Sequence, residues 1–211
     1  MTDDFPARRA TQSEGLATHA TRAASAVVVV GFVLAVMWVL EIVAYMTDGY
    51  IPRTFGIHAH DITDLPHVFT APFLHAGFDH LASNTVPFAI LGFLAGLRGI
   101  TKFLAMNVIV MVVGGLGVWI LGPETVPTVG ASILIFGYFG YLAGRGLFER
   151  RLIDILIAVV VGVLYGTAIA ASLLPNNHEI SWQGHLFGLI GGLLAAWTLR
   201  RRDATGFSFS L

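Results

Sequence analysis

Apolar residues in this chain are gathered into blocks, with short polar or charged joints between them. Six stretches are long and apolar enough, or nearly so, to predict membrane-crossing helices: about 25–46, 80–97, 103–122, 130–147, 152–173 and 183–199. A crossing helix needs roughly 20 apolar residues, with a working range of about 17–25. The second and fourth stretches are short and carry polar residues, Asn84 and Ser132 among them. That is the pattern of helices facing a wet interior. The segment from about 48 to 79 is long for a connector and holds Ile51, Phe55, Ile57, Leu65, Val68, Phe69 and Leu74. It is too apolar for a solvated loop. Irregular backbone at membrane depth is tolerated only against protein or water, so this segment is expected to lean on the bundle or dip into the outer leaflet. The first apolar run is longer than the roughly 7–15 residues of a signal-peptide core and no convincing cleavage site ends it, so it reads as an uncleaved span. The expected fold class is an all-α membrane protein with six transmembrane helices. Residues 25–200 form its domain, 1–24 and 201–211 are short tails, and 1–22 and 203–211 are expected to be mobile.

Composition sharpens this. Only 12% of residues are charged, about half the usual share of a soluble domain. There is no cysteine, which excludes disulfides, thiolate metal sites and a cysteine nucleophile. Charge position is more informative than net charge. Arg8, Arg9 and Arg22 precede the first span, Arg98 and Lys102 separate the second and third, and Arg145, Arg150 and Arg151 separate the fourth and fifth. Arg200, Arg201 and Arg202 follow the sixth. With six crossings all of these fall on one face, and Arg53 alone falls on the other. The positive-inside rule then places both termini in the cytoplasm. The expectation is an integral protein of a prokaryotic cell membrane. The lipid bilayer is its surroundings, with no nucleic-acid partner and no particular oligomeric state implied.

Candidate chemistry sits in three polar interruptions. Pro72 to Asn84 opens the second span, and His80 and Asn84, four apart, share one helical face. Hydrogen-bond donors aimed at one point inside a bundle can hold an oxyanion, although histidine and asparagine also serve as glue between membrane helices. Ser132 follows Gly130 and Ala131 at the start of the fourth span. A membrane serine usually bonds back to its own helix, but the N–H groups of a helix start can also stabilise an oxyanion. His185 lies in the sixth span beside Gly184, Gly188 and Gly192, a small-residue stripe. Gly137, Gly140 and Gly144 form a similar stripe on the fourth span, and such faces let backbones approach closely. An ionisable residue at membrane depth is a functional hypothesis in its own right. Together, Ser132 and His185 suggest a nucleophile and its base. Glu41, Asn107 and Asp154 read as interfacial or interhelical, and Trp38, Trp119, Trp182 and Trp197 as interface belts.

At these residues the chain resembles the rhomboid family of intramembrane serine proteases, over roughly 25–200. The motifs that carry the resemblance are Pro72 to Asn84 with its His-x-x-x-Asn, Gly130-Ala131-Ser132, and Gly184-His185 followed by Gly188 and Gly192. The resemblance implies a serine–histidine dyad without a third acid, with Ser132 as nucleophile and His185 as general base. It implies an oxyanion site from His80, Asn84 and the Gly130–Ser132 turn, and Phe136 stacked on His185. It further implies a membrane-embedded first external loop, a lateral gate at the fifth span, and single-span or multi-span membrane proteins as substrates. No cofactor or metal belongs to this chemistry. The chain departs from the family pattern at Ile133, where glycine is common, and at Phe136, often tyrosine. The frequent Trp-Arg pair of the first loop is missing, with Pro66-His67 near its place. Two other functions fit parts of the pattern. One is a catalytically inactive relative that binds membrane helices. The other is a metal-binding membrane protein built on His58, His60, Asp61, Asp64, His67, His75 and His80.

Overall fold

The computed structural model describes residues 4–174 and 181–200, with side chains from residue 17 onward. Every described regular element is helical, and the one β-type contact is an isolated antiparallel bridge between Ile57 and Thr128. The order is α1 (Asp4–Met46), α2 (Tyr50–Phe55), two 3₁₀ turns (Ile62–Phe69 and Ala71–Phe73), α3 (Phe78–Gly96), α4 (Ile100–Leu121), α5 (Ser132–Phe148), α6 (Leu152–Ser172) and α7 (Trp182–Thr198). The long helices occupy the six apolar stretches, with ends shifted by a few residues. Helix α1 also runs back to Asp4, so helix continues into the segment expected as an N-terminal tail. The tail expected at 201–211 lies outside the described residues.

Among the described residues three helices are long and apolar enough to cross a membrane on those grounds alone: Ala17–Met46 within α1, α4 and α6. Helix α5 is apolar but only 17 residues long, about 25 Å at 1.5 Å per residue. On α6 only Asp154, Val161 and Ile169 are buried, while Leu152, Val163 and Leu164 are among the most exposed apolar side chains. Apolar surface on that scale is stable in contact with hydrocarbon and not with water. This is an integral membrane protein.

Helix α5 is the centre of the bundle. Twelve of its 17 residues are buried, from Ile133 to Gly146, as expected of a helix covered on all sides. Its most extensive packing is on α7, which also packs broadly on α4. The contact is backbone to backbone. A Cβ on Gly188 would overlap the carbonyl of Ile133, one on Gly140 that of Leu189, and one on Gly192 that of Gly137. The stripe expected on α5 divides between two neighbours, because Gly140 and Gly144 face α7 whereas Gly137 faces Val110 of α4. Ile133, the bulky residue in a place where glycine is common, fits a hole left by Gly114 and Gly184.

The segment between α1 and α3 leans on the bundle. Ile57, Val68, Ala71 and Leu74 are buried, and Val68 fills the space above Gly115 of α4. At the opposite end of α6, Asp154 is buried between Arg98 and Arg145, and Arg98 also pairs with Glu149. A charge in such a place is stable only with its partners. Asp154→Ala should therefore lower unfolding stability in detergent by about 3–5 kcal/mol, whereas the double change Asp154→Leu/Arg145→Leu should recover most of it. A denaturation series on the three proteins checks this.

Candidate active site

A cavity of about 790 Å³ opens between α3, α5, α6 and α7, and Ser132, His185, His80 and Asn84 all line it. Ser132 is the first residue of α5. The first four N–H groups of a helix lack intrahelical acceptors, so the hydroxyl arrives together with an N–H that is free to donate. One turn further on, Phe136 shares the face of Ser132. Its ring stacks on the His185 imidazole, with centroids 4.1 Å apart and planes 8° from parallel. The face of α5 that carries the hydroxyl is thus the face against which α7 lays its imidazole.

The proton positions of the histidines follow from their partners. His185 Nδ1 is 3.0 Å from the carbonyl oxygen of Ser172, the last residue of α6. A carbonyl only accepts, so Nδ1 donates and Nε2 keeps its lone pair. The Ala76 N–H donates to His80 Nδ1 at 3.4 Å. His80 Nε2 therefore carries the proton, and it lies against Gly130, where a Cβ would come within 2.9 Å of it. Gly130 has φ +132° and leaves no room for a side chain. Its own N–H is committed to the Ala71 carbonyl at 3.0 Å, so what Gly130 supplies is shape and not a donor. Asn84 is buried, and its Nδ2 donates to the His80 carbonyl at 2.8 Å, leaving the second hydrogen of the amide group. Three donors are left for an anionic oxygen in the cavity: His80 Nε2–H, Asn84 Nδ2–H and the Ser132 N–H.

The turn that presents Ser132 is knitted to the first loop. Ile57 and Thr128 exchange backbone hydrogen bonds of 2.9 and 3.1 Å, and the Ala131 N–H donates to His75 Nε2 at 3.3 Å. His75 is 2% exposed, and its ring meets that of His80 edge-on, with centroids 5.1 Å apart. Burial holds it neutral, its pKa pushed down to about 3, which keeps Nε2 available as an acceptor. The sequence pattern marked His75 only as one histidine in an external cluster. Its role in the serine turn comes from the chain path, as does that of Ser172, which acts through a backbone carbonyl that no side-chain pattern can reveal.

The histidines between α1 and α3 are spent on loop structure. Asp64 binds His58 Nδ1 at 2.6 Å through one oxygen and His67 Nδ1 at 3.1 Å through the other. His67 Nδ1 also reaches the Gly56 carbonyl at 3.0 Å, so Pro66-His67 closes the loop on itself. His60 Nδ1 lies 2.8 Å from Glu124 and its Nε2 2.9 Å from the Ile120 carbonyl, and these hydrogen bonds raise its pKa. Among the described residues no three histidine, aspartate or glutamate side chains are arranged to hold a metal ion. Of the residues left without a role, Asn107 accepts from the Tyr138 hydroxyl at 2.8 Å. Glu41 is buried and accepts from the Gly77 N–H, where α3 begins.

The fold and the cavity define a helical membrane protein with a serine and an imidazole lining one cavity. The family model described as Rhomboid domain matches residues 63–202, and the chain belongs to the rhomboid family. An uncharacterized protein of Mycobacterium tuberculosis is 37% identical over 173 residues, 79% of this chain and 72% of that protein. One from Mycobacterium leprae is 35% identical over 175 residues, 79% of this chain and 68% of that protein. Rhomboid protease GluP of Bacillus subtilis is 29% identical over 141 residues, 64% of this chain and 26% of that protein.

His75→Leu should leave the Ala131 N–H buried without an acceptor, at a cost of about 1–3 kcal/mol. His75→Gln keeps an acceptor near the Nε2 position and should unfold closer to the unchanged protein. Thermal unfolding midpoints of the two variants, measured side by side, decide it.

Proposed function

We propose that this protein is an intramembrane serine endopeptidase that cleaves transmembrane segments of single-span or multi-span membrane proteins. In this reading the domain of residues 25–200 crosses the membrane six times, through α1 and α3 to α7. Both termini are cytoplasmic in a prokaryotic cell membrane, and the first loop rests in the outer leaflet. The observation that carries the reading is the stack of Phe136 on His185, one turn from Ser132, in a cavity both residues line. Family membership supports it independently.

The chemistry follows from the proton positions. Ser132 Oγ attacks the carbonyl carbon of the scissile amide while its proton passes to His185 Nε2. The negative oxygen of the tetrahedral intermediate is held by His80 Nε2–H, Asn84 Nδ2–H and the Ser132 N–H. The intermediate collapses as Nε2–H protonates the leaving nitrogen. That step releases the amine and leaves Ser132 as an ester of the new carboxyl end. Water then gives its proton to Nε2, attacks the ester and frees the serine. A helical amide is shielded and its carbonyl is occupied, so cleavage requires a locally unwound substrate, and helix-weakening residues near the cut are expected. Helix α6, the least buried of the long helices beside the cavity, is the natural lateral gate.

Cleavage of a single-span reporter in detergent tests this. Ser132→Ala and His185→Ala should lose all cleavage with folding intact. Asn84→Ala should slow kcat by about 10²–10³-fold, the scale of one lost oxyanion donor. Fluorophosphonate should label the unchanged protein at Ser132 and leave Ser132→Ala unlabelled. A chain that neither cleaves nor labels is a helix-binding relative, and the peptidase reading fails.

A further inference from the structure

We propose that the Ser172 carbonyl, at the C-terminal end of α6, is a positioning group for His185. Through it, the base becomes competent only while the outer end of α6 is closed against the site. The proposal rests on the peptidase reading and goes beyond the two-residue dyad. A base of this kind needs its far nitrogen protonated and held, so that the near nitrogen presents a lone pair to the hydroxyl. A carboxylate does this in three-membered serine sites. Here the acceptor 3.0 Å from His185 Nδ1 is a backbone oxygen of a neighbouring helix.

The end of α6 is suited to the task. The last four carbonyls of a helix lack intrahelical partners. Two at this end are used by the final turn, where the Leu173 and Leu174 N–H groups reach the Ala170 and Ala171 carbonyls at 3.3 Å. The Ser172 carbonyl turns to the imidazole instead. Aligned peptide dipoles give a helix C-terminus partial negative charge. The same oxygen that fixes the tautomer therefore also stabilises the imidazolium formed when Nε2 takes the Ser132 proton.

The attachment of α6 makes this bond conditional. Its main packing is against α5, and the positions of Gly162 and Gly166 face open space. Its inner end is pinned by Asp154 between Arg98 and Arg145. A helix pinned at one end and lightly packed along its length moves most at the other, where Ser172 sits. Displacing α6 to admit a substrate helix withdraws the acceptor from Nδ1, so proton abstraction waits until α6 closes again around the bound segment.

The test weakens one carbonyl. Incorporating the α-hydroxy analogue of leucine at position 173 converts the Ser172 carbonyl to an ester carbonyl, a poorer acceptor, and removes the Leu173 N–H. The same analogue at position 174 removes the comparable Leu174 N–H and leaves the Ser172 carbonyl an amide. The ester at 173 should lower kcat on the reporter on the order of tenfold, the scale of one weakened hydrogen bond to a charged group, with KM unchanged. It should also move the ¹⁵N signals of the neutral His185 ring from a single Nδ1–H tautomer toward a mixture, with His185→Gln providing the assignment. The ester at 174 should do neither. Two esters that behave alike, or an ester at 173 that leaves kcat and the ring signals unchanged, overturn the proposal while the reporter cleavage still stands. An unchanged protein that neither cleaves nor labels overturns the peptidase reading and this proposal with it.

Discussion

The near-contact of the α5 and α7 backbones is the constraint on which the rest of the structure depends. In lipid there is no hydrophobic gain in bringing two helices together, because the tails are as apolar as the side chains. What remains is van der Waals packing, and that is richest where glycine lets main chain meet main chain. Gly140, Gly188 and Gly192 each face a carbonyl across this interface. The closeness sets the reach of His185 toward α5 and seats its ring flat on Phe136. A larger residue at any of these glycines would have to push main chain aside, since the obstacle is a carbonyl and not a movable side chain.

A second level of order comes from the first loop, which acts on the serine turn through hydrogen bonds and not through burial alone. Thr128, Gly130 and Ala131 all give their N–H groups to that loop, to Ile57, Ala71 and His75. The turn before α5 is therefore held from outside, and the first N–H groups of the helix itself are left facing the cavity. The other histidines of this loop belong to the same scaffold. They bind Asp64, Glu124 and backbone carbonyls, tying the loop to itself and to the end of α4. In water such pairs would contribute little. What they do here is satisfy polar groups along an irregular stretch of backbone.

The two ends of α6 differ in kind. Ions hold the N-terminal end, and at the C-terminal end the Ser172 carbonyl meets the His185 imidazole. The length between them buries only Val161 and Ile169. Stability and access are thereby separated along one helix. The charged cluster can anchor α6 without stiffening the region beside the cavity, and motion there costs few buried contacts.

How much could be read from the chain alone follows from which interactions are local. The apolar blocks set the six long helices to within a few residues except at the start of α1, because hydropathy over about 20 residues is a property of the segment itself. The same holds for the polar interruptions at His80, Asn84, Ser132 and His185. Long-range geometry was not legible. The Cα of Gly137 faces Val110 of α4 while its carbonyl meets Gly192 of α7, because a stripe on a helix does not say which neighbour it meets. His75 serves the serine turn from 56 residues away. The tautomer of His185 is decided by a backbone oxygen on α6, and a backbone carbonyl has no signature in sequence. Local chemistry determined the helices and the candidate side chains, and only the folded path of the chain decided which donor faces which acceptor.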